Sequence, residues 1–223
     1  MKSLKQLIAL AIVSIFLVTA LVAQRTDEQV PARRDSDLAA KIRRFAPTVL
    51  TANISRLSIK DRLTLRKIIA AAKYMDPLYR RQVWSGNELL LMQLERYKSA
   101  LPLHYFLING GPWSRLDSNE PFIEGVPREK PPEANYYPED MTKEEFNSWL
   151  SGLSAEEKEK ATGYFYVIHH DSSGKLKTVP YSEEYREFLN PAAKLLREAA
   201  ALTTNKTLKD FLNKRAAAFA SND

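Results

Sequence analysis

Apolar residues recur at spacings of three and four over most of this chain and alternate over one short stretch, so the pattern predicts helices with a single hairpin. Leu38, Ile42 and Phe45 form an apolar stripe that predicts a first helix starting at Ser36 or Asp37 and ending before Pro47. A second helix is expected near Ser58, where Ser58 and Asp61 stand three residues apart in a capping arrangement. Leu63, Ile68 and Ile69 are expected on its buried face, and Ala70-Ala71-Ala72 lets a neighbouring helix approach closely. Met75-Asp76-Pro77 breaks this run, with Asp76 placed to cap a third helix and Pro77 in its first turn. That helix carries Leu78, Val83, Leu89, Leu90, Met92 and Leu94, has Gly86 as a weak point, and is expected to stop at Leu101-Pro102.

The segment from Leu103 to Ile123 reads as an irregular loop, because it holds aromatic residues, the Gly110-Gly111-Pro112 turn, Trp113 and paired charges. From Glu124 to Asp140, four prolines argue for an extended surface connection. Thr142 with Glu145 and Ser154 with Glu157 then mark two helix starts, with Phe146 and Leu150 of the first facing the core. Tyr164 to Ile168 and Leu176 to Val179 flank the turn Asp171-Ser172-Ser173-Gly174 and make the one convincing β-hairpin. Ser182 to Ala220 reads as helix, with breaks expected near Asn190-Pro191 and at Thr203-Thr204-Asn205. The expected fold class is mainly α with a small antiparallel β-hairpin (α+β), formed by residues 36–223 as one mostly helical region.

The first 23 residues change this picture. Lys2 and Lys5 precede an apolar run from Leu7 to Ala23, which reads as a secretory signal peptide cut after Ala23, with an uncleaved anchor as the alternative. Residues 24–35 read as a flexible tether. The expectation is an exported chain, periplasmic or extracellular, touching membrane only through that first segment. There is no cysteine, which excludes disulfides and a lipid-modified cysteine. The formal charge of +6 falls to +4 once Lys2 and Lys5 are set aside (31 basic against 27 acidic residues). Bases and acids interleave along most of the chain, as on solvated helix faces, so nucleic acid is not an expected partner.

Candidate chemistry is sparse. His104, His169 and His170 are the only histidines, no H-E-x-x-H pattern occurs, and adjacent strand residues such as His169 and His170 point to opposite faces. His104 reads chiefly as a hydrogen-bonded structural histidine. No cysteine, G-x-S-x-G elbow or phosphate loop offers a nucleophile or an anion cradle. Glu139-Asp140, Glu144-Glu145 and Glu183-Glu184 sit near expected helix starts, where the helix dipole favours acids. Trp84 and Tyr136-Tyr137 could stack on a ligand, although core packing is the commoner role for such residues.

Six short motifs, taken in order, carry more information than any one of them. Ala71 to Asp76 (AAKYMD), Arg81 to Asn87 (RQVWSGN), Gly111 to Asp117 (GPWSRLD), Tyr137 to Thr142 (YPEDMT), Val179 to Ser182 (VPYS) and Leu208 to Asp223 together resemble the N-terminal part of bacterial zinc metallopeptidases of the dipeptidyl-peptidase III family. The resemblance implies one lobe of a two-lobed enzyme that removes dipeptides from oligopeptide N-termini in the cleft between lobes. It also implies zinc held by a helical H-E-x-x-x-H motif and a later glutamate, and none of those positions exists in this sequence. No catalytic or metal residue is therefore assigned, and no cofactor is expected in this chain. Asn109, Trp113, Arg115 and Asp117 are the candidates for shaping a peptide-binding wall, against an internal brace in which Arg115 pairs with Asp117 or Asp76. The expected partners are an oligopeptide and a missing C-terminal catalytic lobe, and helical spacing at Leu208, Phe211, Leu212 and Phe219 close to the last residue supports truncation, against a natural end at which Asn222 caps that helix. The competing reading is a stand-alone periplasmic helical module that binds a peptide or small ligand. A third, a partner of a full-length paralogue, predicts an exposed apolar face.

Overall fold

A computed structural model describes residues 35–222, and the expected signal peptide with nearly all of the tether lies outside the described residues. The helices are α1 (Asp35–Ile42), α2 (Ile59–Ala72), α3 (Met75–Val83), α4 (Asn87–Arg96), α5 (Ala100–Asn109), α6 (Lys143–Ser151), α7 (Ala155–Ala161), α8 (Tyr181–Glu184), α9 (Arg186–Leu202) and α10 (Lys206–Ser221). Two antiparallel pairs complete the fold: β1 (Trp113–Ser114) with β2 (Glu120–Pro121), and β3 (Tyr166–His170) with β4 (Leu176–Pro180). The mainly helical α+β class expected from the pattern is the observed one, with one small strand pair more than expected. No helix among the described residues is long and apolar enough to cross a membrane.

The packing divides into four apolar clusters. Helix α9 lies against both α2 and α10 through small residues, with Ala192, Ala193, Ala199, Ala200 and Ala216 buried alongside Leu196 and Leu212. Alanine at these positions lets three helix backbones approach closely, and the density of the contact offsets the small area each residue buries. A second cluster joins α1, α4 and α5 through Leu38, Leu90, Leu94, Tyr105 and Phe106, closed by Phe122 and Ile123. The β3–β4 hairpin separates the other two. Val167 and Val179, directly opposite each other, pack on Tyr185 and Phe188, while Ile168 and Leu176 pack on Ala161, Phe146 and Trp149. Alternation along one strand thus feeds two different clusters, as the period of two requires.

Helix starts follow the sequence closely. Ser58 accepts a hydrogen bond from the Asp61 N–H, Thr142 from Glu145 and Ser154 from Glu157, with the reciprocal carboxylate bond complete at Ser154. Asp76 does not cap α3, which begins one residue earlier at Met75 without a side-chain cap. The expected third helix is two, α3 and α4, interrupted at the weak point the sequence marked at Gly86. Trp84-Ser85-Gly86 separates α3 from α4, and α5 begins at Ala100, so Pro102 stands in a first turn rather than at an end, where its missing N–H costs nothing. On α2 the buried residues are Thr64 and Ala71, while Leu63 and Ile69 are exposed. Helix α9 runs through Pro191 without a break.

Candidate functional site

The sequence element richest in unusual residues is half helix. Leu103 to Asn109 completes α5, and the irregular part begins at Gly110, whose φ of 70° makes it the left-handed cap of that helix. The Gly110 and Gly111 N–H groups both donate to the Phe106 carbonyl, at 2.8 and 3.2 Å. A Cβ on Gly110 would stand 2.6 Å from the Tyr79 ring, so the position excludes a side chain on two grounds. The chain then runs through β1, a single 3₁₀ turn at Arg115–Asp117, and Ser118 and Asn119 in the left-handed region, before returning as β2.

Buried side chains hold this loop from within. Asn109 donates to the Tyr105 carbonyl at 2.9 Å and accepts from the Arg115 N–H at 3.0 Å. Asn87, at the start of α4, donates to the carbonyls of Arg80 (2.8 Å) and Gly110 (3.2 Å), and its own oxygen has no hydrogen-bond partner among the described residues. Trp113 is buried edge-on against Trp84, with ring centroids 5.2 Å apart, and its indole N–H donates to the Pro127 carbonyl at 3.1 Å.

Asp117 is the electrostatic centre of the loop. Its carboxylate receives Lys41 at 2.5 Å and Arg44 at 2.6 Å from α1 and its following turn, and the Ser114 hydroxyl at 2.6 Å; Ser114 also lies 2.7 Å from the Tyr105 hydroxyl. Arg44 further donates to the Leu116 carbonyl at 3.2 Å. The Lys41 ammonium, then Ser114 and Arg44, hold the Asp117 carboxyl well below the usual carboxylate range. The loop is thereby tied to α1, more than seventy residues earlier in sequence.

Of the four sequence candidates, Asn109 and Trp113 are buried, Asp117 is partly buried, and Arg115 is exposed. All four lie in one loop, three of them as internal ties. The expected brace between Arg115 and Asp117 or Asp76 is not the observed one: Arg115 donates to the Tyr79 hydroxyl and lies over its ring, and Asp117 takes Lys41 and Arg44. An open depression of 810 Å³ adjoins the loop, lined by Asp117 to Pro121 on one side and Arg128 to Lys130 on the other. Burial, helped by the nearby Arg115 charge, lowers the Lys130 ammonium below its ordinary value. Lys41, Arg44, Tyr105 and Ser114 were missed by sequence reasoning. Lys41 and Arg44 stand three residues apart at the end of α1 and just beyond it, and nothing in the sequence points either of them to Asp117.

The histidines do not converge. His104 is exposed on α5, contrary to its expected hydrogen-bonded place. His169 lies 3.0 Å from Glu184, and this contact holds the Glu184 carboxyl below its ordinary value; His170 lies 3.4 Å from Glu145 and 3.9 Å from Asp140. Among the described residues no group of three or more such side chains could hold a metal ion, so the zinc implied by the resemblance has no fitting donor set in them. Trp84 packs on Trp113, Tyr136 stacks on Tyr181, and Tyr137 meets Phe146, so the stacking candidates are engaged internally.

Two solved structures share this fold. One is a dipeptidyl-peptidase III from Corallococcus sp. strain EGB, 48% identical with a TM-score of 0.79, which covers 83% of this chain and 35% of that one. The other, DPP III from Caldithrix abyssi, is 40% identical with a TM-score of 0.78 over the same shares. The chain is similar in sequence and fold to part of these two dipeptidyl-peptidase III structures. It spans about a third of the length of the proteins it matches. A curated protein, Nudix hydrolase 3 from Arabidopsis thaliana, is 35% identical over 254 aligned positions, covering 91% of this chain and 33% of that protein. Two thirds of that protein lies outside the match, and the dipeptidyl-peptidase III likeness rests on both sequence and fold. No family model matches.

Proposed function

We propose that this chain is the N-terminal lobe of an exported, dipeptidyl-peptidase III-like zinc metallopeptidase, and that it has no peptidase activity by itself. The observation that carries the reading is the 48% identity to a dipeptidyl-peptidase III structure over 83% of the chain and 35% of that structure. In this reading zinc, the water-activating glutamate and the scissile bond belong to polypeptide outside the chain. This lobe supplies a rigid wall. Asn109, Trp113 and Asp117 fix the backbone of the 110–121 loop, and Arg115 presents its guanidinium at the loop surface, suited to a peptide carbonyl or carboxylate. Rigidity of this kind matters because a peptide bound in extended form loses less affinity to ordering when its wall is already fixed.

The 810 Å³ depression favours a second reading, a stand-alone peptide- or ligand-binding module. Its lining is mostly charged, whereas small-ligand sites are mostly apolar and bury most of the ligand. The two readings separate in a dipeptidyl-arylamide assay on the isolated chain with added zinc, run beside calorimetric titration with short oligopeptides. The proposal expects no turnover. Chelator-sensitive turnover sinks it, and tight peptide binding by the isolated chain favours the module.

A further inference from the structure

Residues 46–54, APTVLTANI, connect α1 to α2 with side chains that water should not meet. Val49 is 85% exposed, Leu50 91% and Ile54 45%, and nearby on α2 Ile59 is 75% exposed. Thr48 to Asn53 make no backbone–backbone hydrogen bond among the described residues, and they form no strand or helix. Yet Thr, Val and Ile favour strands, and in an extended chain Leu50, Ala52 and Ile54 share one face while Val49, Thr51 and Asn53 share the other. An unpaired segment of this kind is a template for strand addition. The charge around it is one-sided. From Leu38 to Met75 the only acid is Asp61, set against nine Lys and Arg residues. Lys41 and Arg44 share Asp117 and Lys67 pairs with Glu198, which leaves Arg43, Arg56, Lys60, Arg62, Arg66 and Lys73 outside these ion pairs.

We propose that residues 46–54 are a β-strand in waiting, completed by a sheet edge with acidic flanks in the remaining two thirds of the dipeptidyl-peptidase III-like protein, supplied in the same chain or in trans. This rests on the functional reading above and names the surface through which this lobe meets the rest. The matched structures carry about two thirds of their length beyond the shared part, so polypeptide to cover the segment exists in them. A lipid surface would accept the apolar side chains but leave the backbone groups of Thr48 to Asn53 without partners, a cost of several kcal/mol per group. A second copy would set Arg56, Lys60 and Arg62 of the two protomers against one another. A sheet edge with acidic neighbours meets both demands.

The test is hydrogen–deuterium exchange at the amides of residues 48–54. It is measured in the chain alone, in a chimera in which residues 35–222 replace the matched part of the Corallococcus protein, and in the chain mixed with the separately expressed remainder of that protein. Free exchange in the isolated chain and roughly hundredfold slowing at alternate amides in the chimera, or in trans if the chimera does not fold, is the expected result. Leu50→Asp should weaken the trans association at least about tenfold without lowering the melting temperature of the isolated chain, since the side chain buries nothing there. Unslowed exchange in a folded chimera overturns the proposal. So does protection that rises with chain concentration together with a dimer mass, or that appears only on phosphatidylglycerol vesicles. Peptide turnover by a chimera without protection overturns the docking surface and leaves the functional reading standing; protection without turnover does the reverse.

Discussion

Replacing Asp117 by Asn keeps an acceptor for Ser114 but removes the charge that two cations share. Lys41 and Arg44 stand 2.5 and 2.6 Å from the carboxylate, with 13% of the Lys41 and 22% of the Asp117 side-chain surface exposed. Charge-assisted hydrogen bonds at partly buried sites contribute about 1.5–3 kcal/mol and exposed pairs less, so with solvent reaching this site the substitution should cost about 1–2 kcal/mol. For a chain of this length that is a fall of roughly 2–8 °C in melting temperature. The sign of the pH dependence follows from the lowered carboxyl: a group whose pKa is depressed by folding stabilises above its unfolded value, about 3.9 for Asp, and that stabilisation fades as pH falls toward the folded value. Thermal denaturation followed by circular dichroism, wild type beside D117N, should therefore show the full gap at neutral pH and a narrowing gap below about pH 4. An equal melting temperature at neutral pH, or a gap that widens in acid, refutes the assignment of Asp117 as the loop's anchor.

Gly110→Ala must place a side chain at φ 70° and against the Tyr79 ring, so urea denaturation should register a loss of about 1–2 kcal/mol. Ala199 has no exposed surface between α9 and its neighbours, and Ala199→Leu should destabilise by about 1–3 kcal/mol in the same assay, through overpacking rather than lost area. Asn205 accepts the Leu208 N–H at 3.1 Å as the cap of α10, and Asn205→Ala should cost about 1 kcal/mol, with faster amide exchange confined to the first turn of that helix.

Elements marked by local chemistry were readable in the sequence. Ser58, Thr142 and Ser154 announced their helices because capping needs only residues three apart, and the β3–β4 hairpin announced itself by a turn between two β-branched runs. Pro102 and Pro191 misled for different reasons: a proline costs a helix little in its first turn, whereas further in it costs a hydrogen bond and a clash with the carbonyl four residues earlier, which the packing around Pro191 outweighs. The candidate site was legible as a loop of the right residues but not as a network. Arg115 has Asp117 two positions away in sequence, yet it turns to Tyr79, and Asp117 is taken by cations more than seventy residues distant. Long-range ion pairs leave no periodic trace. Val49, Leu50 and Ile54 lie between two expected helices, and only the folded chain shows how far they stand exposed among the described residues.

The claim that this chain is one lobe of a dipeptidyl peptidase III-like enzyme is tested most directly by that chimera, loaded with zinc and assayed on a dipeptidyl-arylamide beside the isolated chain. Chelator-sensitive release of the dipeptide by the chimera, and none by the chain alone, is the expected result. A folded, zinc-loaded chimera that releases nothing, or an isolated chain that turns over by itself, would contradict it.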